Sequence, residues 1–386
     1  MRCLQEVRMN RRWIVVVCLL VVLECGIVGR TALAANEAGC TDWPMWSAFK
    51  EDFLQADGRV IDYSAAAHST SEGQAYTLFF ALLANDRAAF DQILTWTESN
   101  LAEGELSSRL MAWRWGQRAD GSWGVIDRNA ASDADVWLAY TLYQAGRLWK
   151  DPALSRSAAQ VRARIERDLV VTVPGIGLVL VPGAQGFRLQ AGGWKLNPSY
   201  LPLQVLKGLA HEAPDGPWQR LAHTTLNLFD AVTPHHLAPD WVAVHPGQGF
   251  RLTDSVSRTG SYDAIRVYLW AGMMSDRDPD KARLLRRLTG MRSSLASAPA
   301  PPERVDALTG EMAGIAPIGF SAALLPYLDS LGARDAAHQQ RQRLAALQRA
   351  PKAYFERVLV LFGLGWWEKR FRFDRDGQFL PGCWGS

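Results

Sequence analysis

The sequence predicts an all-α chain, an (α/α)6 barrel of six helical hairpins with short β-hairpin insertions at the mouth that would carry a site. Apolar periodicity and helix breakers mark out helical segments near 43–54, 71–84, 87–102, 133–148, 152–168, 198–210, 216–232, 260–274, 279–296, 318–329, 333–348 and 352–364. Most of these fall into pairs in which one helix is apolar throughout and the other is charged on one face: 133–149 with 151–169, 261–274 with 281–297, 319–328 with 334–349. Only helices of an inner ring are buried all round, so the alternation means an inner ring covered by an outer one. With 386 residues, 48% hydrophobic and 10% aromatic, the chain can bury one large core or two ordinary ones.

In chain order, the N-terminus stands apart from this fold. Arg11-Arg12 precede the apolar run 13–23, and Ala32-Leu33-Ala34 supplies a small-residue cleavage site, so residues 1–34 read as a secretory signal and 35–386 as one barrel domain. Met9, directly before Asn10-Arg11-Arg12, can serve as the start. The alternative, a retained membrane anchor, is helped by the length from 13 to 28 and opposed by Glu24 and the Ala-x-Ala site. The leader carries Arg2, Arg8, Arg11, Arg12 and Arg30 against Glu6 and Glu24, which accounts for the whole +3 of the chain. The remainder is formally neutral, which argues against nucleic acid or acidic lipid and for an uncharged partner.

The leader also takes Cys3, Cys18 and Cys25, leaving Cys40 and Cys383 at opposite ends of the mature chain. In an oxidising compartment they could form one closing disulfide; two free buried thiols is the alternative. No Cys/His cluster has metal spacing, so no zinc or other cofactor is expected.

The first apolar helix opens at Ser71-Glu72-Gly73-Gln74-Ala75-Tyr76, where Ser71 and Gln74 fit a capping box and Glu72 lies in the first turn. Taken singly, Glu72 reads as an acid complementing the helix dipole, Asp133 as an N-cap and Asp263 as a first-turn acid. Asp135 and Arg266 are harder to explain that way, since the pattern around each is apolar and buried charges need partners. If alternate helices start at one mouth, Glu72, Asp133, Asp135 and Asp263 converge there. Convergent carboxylates suit acetal hydrolysis, one giving a proton to the leaving oxygen and another activating water or attacking the sugar.

Between the helices, 110–115, 170–187 and 241–252 carry alternating or turn-punctuated β-like runs. The mouth segments in and beside these runs hold Trp113, Trp115, Trp123, Trp194 and Trp241, with Tyr200 and Tyr262 nearby, from a total of 16 tryptophans. Flat rings with a polar edge give sugar C–H faces a stacking surface. Nucleotide binding is unsupported, because Gly183, Gly186, Gly192 and Gly193 form no Gly-x-Gly-x-x-Gly turn and no Gly-Lys-Ser/Thr follows. A Gly-x-Ser-x-Gly nucleophile motif is absent as well.

Three motifs, Ser71 to Tyr76, Ala131-Ser132-Asp133-Ala134-Asp135 and Ser261-Tyr262-Asp263-Ala264-Ile265-Arg266, resemble those of glycoside hydrolase family 8, and the resemblance runs from Cys40 to the end. Asn197-Pro198-Ser199-Tyr200-Leu201-Pro202, Ala238-Pro239-Asp240-Trp241 and Gly319-Phe320-Ser321-Ala322-Ala323 are most similar to the branch encoded with bacterial cellulose synthase. The resemblance implies an inverting endo-β-1,4-glucanase with Glu72 as proton donor and Asp263 as general base. Asp133 matches the signature acid sometimes called a nucleophile; with Asp135 it is expected to hold the sugar and tune the acid. Tyr262, Arg266, Trp113, Trp115, Trp194 and Tyr200 are the expected substrate-binding residues, cellulose the substrate, the periplasm or the cell exterior the location, and the synthase export complex a candidate partner. Alternatives are a non-catalytic polysaccharide-binding subunit of a synthase complex, or a family member acting on xylan, chitosan or mixed-linkage glucan.

Overall fold

The computed structural model describes residues 42–190, 192–252, 258–349 and 353–382. Residues 44–382 form one compact unit; a second, 1–43 with 383–386, is described only at Asp42 and Trp43. The expected signal segment and the Cys40–Cys383 pairing therefore lie outside the described residues. No helix among the described residues is long and apolar enough to cross a membrane.

Every expected helical segment is present. The first is α1 (Pro44–Phe53), then α2 (Ser71–Leu83) with α3 (Arg87–Asn100), and α4 (Ser132–Leu148) with α5 (Pro152–Asp168). There follow α6 (Leu203–Glu212) with α7 (Trp218–Val232), and α8 (Ala264–Met273) with α9 (Pro279–Arg286) and α10 (Thr289–Ser294). Last come α11 (Ile318–Ser330) with α12 (Arg334–Arg343), and α13 (Tyr354–Trp367). Helices α2, α4, α6, α8, α11 and α13 each pack on the next, and α13 returns to α2, so these six close a ring. Five outer partners follow their inner helices in sequence. The sixth does not: α13 is covered by α1, from the other end of the chain. This is an (α/α)6 barrel.

Local chemistry moved several boundaries. The expected helix at 198–210 is a 3-10 turn, Pro198–Tyr200, followed by α6, whose N-cap is Pro202. Segment 279–296 breaks between α9 and α10, and α12 passes into a 3-10 stretch, Leu344–Arg349. The cap of α2 is Thr70 rather than Ser71, its side chain accepting from Gly73 N at 3.1 Å. Gln74 does not complete a capping box; it takes Val60 N–H at 2.7 Å and donates to Thr97 Oγ1 at 2.9 Å.

The barrel axis is filled by rings. Trp137 lies 5.0 Å from Phe79 and 5.3 Å from Trp270, and Phe362 lies 4.6 Å from Phe80 and 5.1 Å from Trp270. Phe79, Phe80, Trp137 and Phe362 have no exposed surface, each worth about 1.5–3 kcal/mol or more of burial. The ring can be this tight because some inner helices meet at glycine. A Cβ on Gly272 would stand 2.2 Å from Tyr327 N, and one on Gly363 would stand 2.0 Å from Ala322 O.

Short strands start two of the acid-bearing helices. β1 (Ser69–Thr70) runs straight into α2 and pairs with β2 (Arg114–Gln117), which pairs with β3 (Trp123–Asp127). A hairpin of β4 (Val170–Val173) and β5 (Gly177–Leu180) follows α5, and β6 (Trp194–Leu196), β7 (Val242–His245) and β8 (Gly249–Arg251) make a second sheet. β9 (Thr259–Gly260) lies just before α8 and is held by β10 (Arg304–Asp306), itself paired with β11 (Met312–Ala313). A further hairpin, β12 (Phe371–Phe373) with β13 (Phe379–Pro381), follows the C-terminal end of α13 and was not expected from the sequence. It closes the opposite end of the barrel: Phe371 and Phe379 pack on Phe79, and Tyr140 Oη donates to Gly377 O at 2.6 Å.

Candidate active site

The inner helices α2 and α4 begin at the same end of the ring and bring Glu72 and Asp133 together. One turn after Glu72, Tyr76 Oη donates to Asp133 Oδ2 at 3.1 Å. Arg266, on the first turn of α8, donates through Nη1 to Tyr76 Oη and Asp133 Oδ2, both at 2.9 Å. Its Nη2 donates to Asp263 Oδ1 at 2.5 Å. One buried guanidinium thus ties together acids from two helices. Asp133 is completely enclosed, whereas the Asp263 side chain keeps 29% of its surface. Glu72 accepts from Ser71 Oγ at 3.1 Å and keeps partial solvent access.

These acids outnumber the cation beside them. Burial first, and the charge of Asp133 second, push the Glu72 carboxyl up to about 8, against the weaker pull of Arg266. Burial likewise raises Asp133, opposed by Arg266 and reinforced by Asp263. The arrangement can therefore hold a protonated Glu72 at neutral pH close to carboxylates that Arg266 keeps in place. Such a set can donate a proton from one group while another accepts one.

Asp135 belongs to a different contact from the one expected. It is fully buried, its Oδ1 accepting from Met111 N at 3.1 Å, and burial holds its carboxyl well above the usual range. It anchors the segment entering β2, which carries Trp113 and Trp115, and it has no surface to offer a sugar. Asp133 too reaches the cleft only through Tyr76 and Arg266.

Of the expected aromatic residues, Tyr200 joins the acids, its ring 5.5 Å from the Arg266 guanidinium. From it a row leads outward: Trp241 at 6.3 Å, then Phe187 stacked on Trp241 at 5.9 Å, with Lys195 Nζ 4.5 Å from the Trp241 ring. Trp115 is stacked on Trp123 at 5.5 Å, and Arg59 lies 4.6 Å from its ring. Trp113 is partly buried beside Arg114, Trp194 pairs with Arg188, and Tyr262 is 47% exposed against Phe320. These four, Trp113, Trp115, Trp194 and Tyr262, find their ring and cation partners on the mouth strands and loops and not among the acids.

Sequence reasoning did not single out Tyr76, Asp240, Phe187, Lys195 or Arg59 as site residues. Tyr76 was open to discovery, because it stands one helical turn from Glu72 on a helix buried all round. Asp240 was not, because its partners lie 21 and 24 residues away. Among the described residues no group of three His, Cys, Asp or Glu is placed to hold a metal ion. A cavity of about 1070 Å³ between α10 and α12, lined by Arg292, Arg334 and His338 among others, touches none of the acids.

An (α/α)6 barrel with acids gathered around one buried guanidinium at one mouth and exposed aromatic rings nearby fits a glycoside hydrolase working by acid/base chemistry. The profile of glycosyl hydrolases family 8 matches residues 22–369, and the chain belongs to that family. It is 47% identical over 368 residues to an endoglucanase of Escherichia coli O157:H7, covering 95% of this chain and 98% of that protein. It is also 47% identical over 354 residues to an endoglucanase of Xanthomonas axonopodis pv. citri, covering 91% and 92%. The crystal structure of an endo-1,4-D-glucanase from Vibrio fischeri ES114 superposes with a TM-score of 0.84 at 40% identity, over 88% of this chain and 99% of that one.

Proposed function

We propose that this family-8 endoglucanase hydrolyses β-1,4-glucosidic bonds inside cellulose chains by inversion, with Glu72 as the acid and Asp263 as the base. The observation that carries this reading is a largely enclosed Glu72, its carboxyl pushed up to about 8 by burial and by Asp133, sharing one charge network with a solvent-reachable Asp263. Glu72 gives its proton to the glycosidic oxygen as the bond breaks. Asp263, held by Arg266, takes a proton from water attacking the opposite face of the sugar. Asp133 does no bond-making; its charge keeps Glu72 protonated and its bond to Arg266 fixes the guanidinium that holds Asp263. Trp241, Tyr200 and Phe187 offer stacking faces to a glucan lying across the acids, and a chain that passes through an open cleft is cut internally.

The leader features of residues 1–34 support export to the periplasm, where the substrate is cellulose leaving its synthase and the export complex is the partner. Enzyme recovered from the periplasmic fraction should begin after Ala34. It should cut carboxymethyl-cellulose in preference to xylan or chitosan, and by proton NMR it should release the α-anomer first. Initial release of the β-anomer would sink inversion, and an uncut leader would sink export in soluble form.

A further inference from the structure

Asp263 occupies the N-cap position of α8, yet its side chain makes no cap hydrogen bond; the carboxylate is turned to Arg266. An aspartate at that position ordinarily satisfies the free N–H groups of its own helix. Here the N–H groups that such a cap would take are bonded to backbone instead, Ile265 N–H to Ser261 O at 3.0 Å and Arg266 N–H to Asp263 O at 3.0 Å. Asp240, from the segment leading into β7, takes N–H groups on either side of Asp263. Its Oδ1 accepts from Ser261 N at 2.8 Å and from Ala264 N at 2.7 Å. That segment is itself fastened to α8 and β9: Ala238 N–H donates to Tyr268 Oη at 3.0 Å, and Asp240 N–H donates to Thr259 O at 2.8 Å. Gly260 permits the approach, since a Cβ there would stand 2.0 Å from Ala238 O.

We infer that Asp240 is a positioning residue for the reaction: by bonding N–H groups on either side of Asp263, it fixes the backbone that aims that carboxylate at Arg266. The inference rests on the reading of Asp263 as the base. The groups that bear on Asp240 are Asp263 and Arg266 at the start of α8 and Tyr268 one turn along it. Burial, and next the charge of Asp263, raise the Asp240 carboxyl to about 6. Below that pH it takes up a proton and its hold on the two N–H groups weakens, so its titration contributes to the acid limb of activity.

The test compares Asp240→Ala and Asp240→Asn with the parent on carboxymethyl-cellulose between pH 4 and 9. Asp240→Ala removes both bonds and should lower kcat about 10²-fold, as a displaced reacting group does, with KM within about twofold. Asp240→Asn keeps an acceptor oxygen but cannot titrate. It should recover most of that kcat and carry the acid limb to lower pH. Equal losses in both variants, parental kcat in Asp240→Ala, or an unmoved acid limb in Asp240→Asn would each overturn the inference. Should Asp240→Ala not fold, the profile of Asp240→Asn decides. Asp263→Asn separates the two claims: if it is active the base reading fails, and if it is inactive while the Asp240 variants match the parent, only this inference fails.

Discussion

Replacing Glu72 by Gln should stabilise the protein, and by an amount that depends on pH. In the folded chain the Glu72 carboxyl is moved from 4.5 to about 8. At ~1.36 kcal/mol per pH unit, ionised Glu72 weakens the fold by on the order of 5 kcal/mol. The sign follows from proton counts. Between pH 4.5 and about 8 the folded state keeps a proton that the unfolded state has lost, so stability falls as pH rises through this window. Gln carries no such proton. The advantage of Glu72→Gln should be near zero below the lower value, grow through neutrality and level off above the upper one. Urea unfolding followed by tryptophan fluorescence at acid, neutral and alkaline pH reads it directly. A parent-to-variant difference that stays constant across that range would refute the reasoning that burial and Asp133 keep Glu72 protonated. The same substitution should remove cleavage while leaving the glucan bound, so the stabilised variant is also the inactive one.

Two further outcomes follow from the packing. Arg266→Ala leaves the enclosed Asp133 without its cation and should cost about 3–5 kcal/mol in urea unfolding near neutral pH, as stranded buried charges do; a loss under about 1 kcal/mol would show that Asp133 is not held charged there. Gly272→Ala should destabilise by at least about 1–3 kcal/mol, although alanine is the better helix former by ~1 kcal/mol, because its Cβ meets Tyr327 N. A raised melting temperature in that variant would mean that the contact between α8 and α11 is looser than described.

What could be read from the sequence is what repeats at short range. The helices announce themselves by apolar period and breakers, and an acid on the first turn of a helix apolar all round is visible in Glu72, Asp133 and Asp263 without a fold in hand. What could not be read is set by distance along the chain. Thr70 takes the cap from Ser71 because β1 pairs with β2 and leaves Thr70 extended, at φ −117° and ψ 156°. Asp135 looks like a neighbour of Asp133 in function because it is one in sequence, but two positions along a helix point to different sides. Its partner, Met111, lies 24 residues back. The hairpin of β12 and β13 carries its apolar side chains inward onto Phe79, a contact with no local signature.

The pairing of α1 with α13 has a kinetic meaning. Every other outer helix can dock on an inner partner a few residues away, so those hairpins can assemble while the chain is still growing or emerging. The sixth contact spans nearly the whole domain, so it carries the largest loop-closure entropy of the six pairings and lowers the folding rate most. Until α13 arrives, Phe49 and Phe53 of α1 lack the ring of Tyr354, and Phe362 is missing from the rings along the axis. Tyr354, at the start of α13, places its ring beside Gly73, next to Glu72. The surroundings of the acid are therefore completed by the last inner helix of the sequence, so the site is not whole until the two ends of the domain have met.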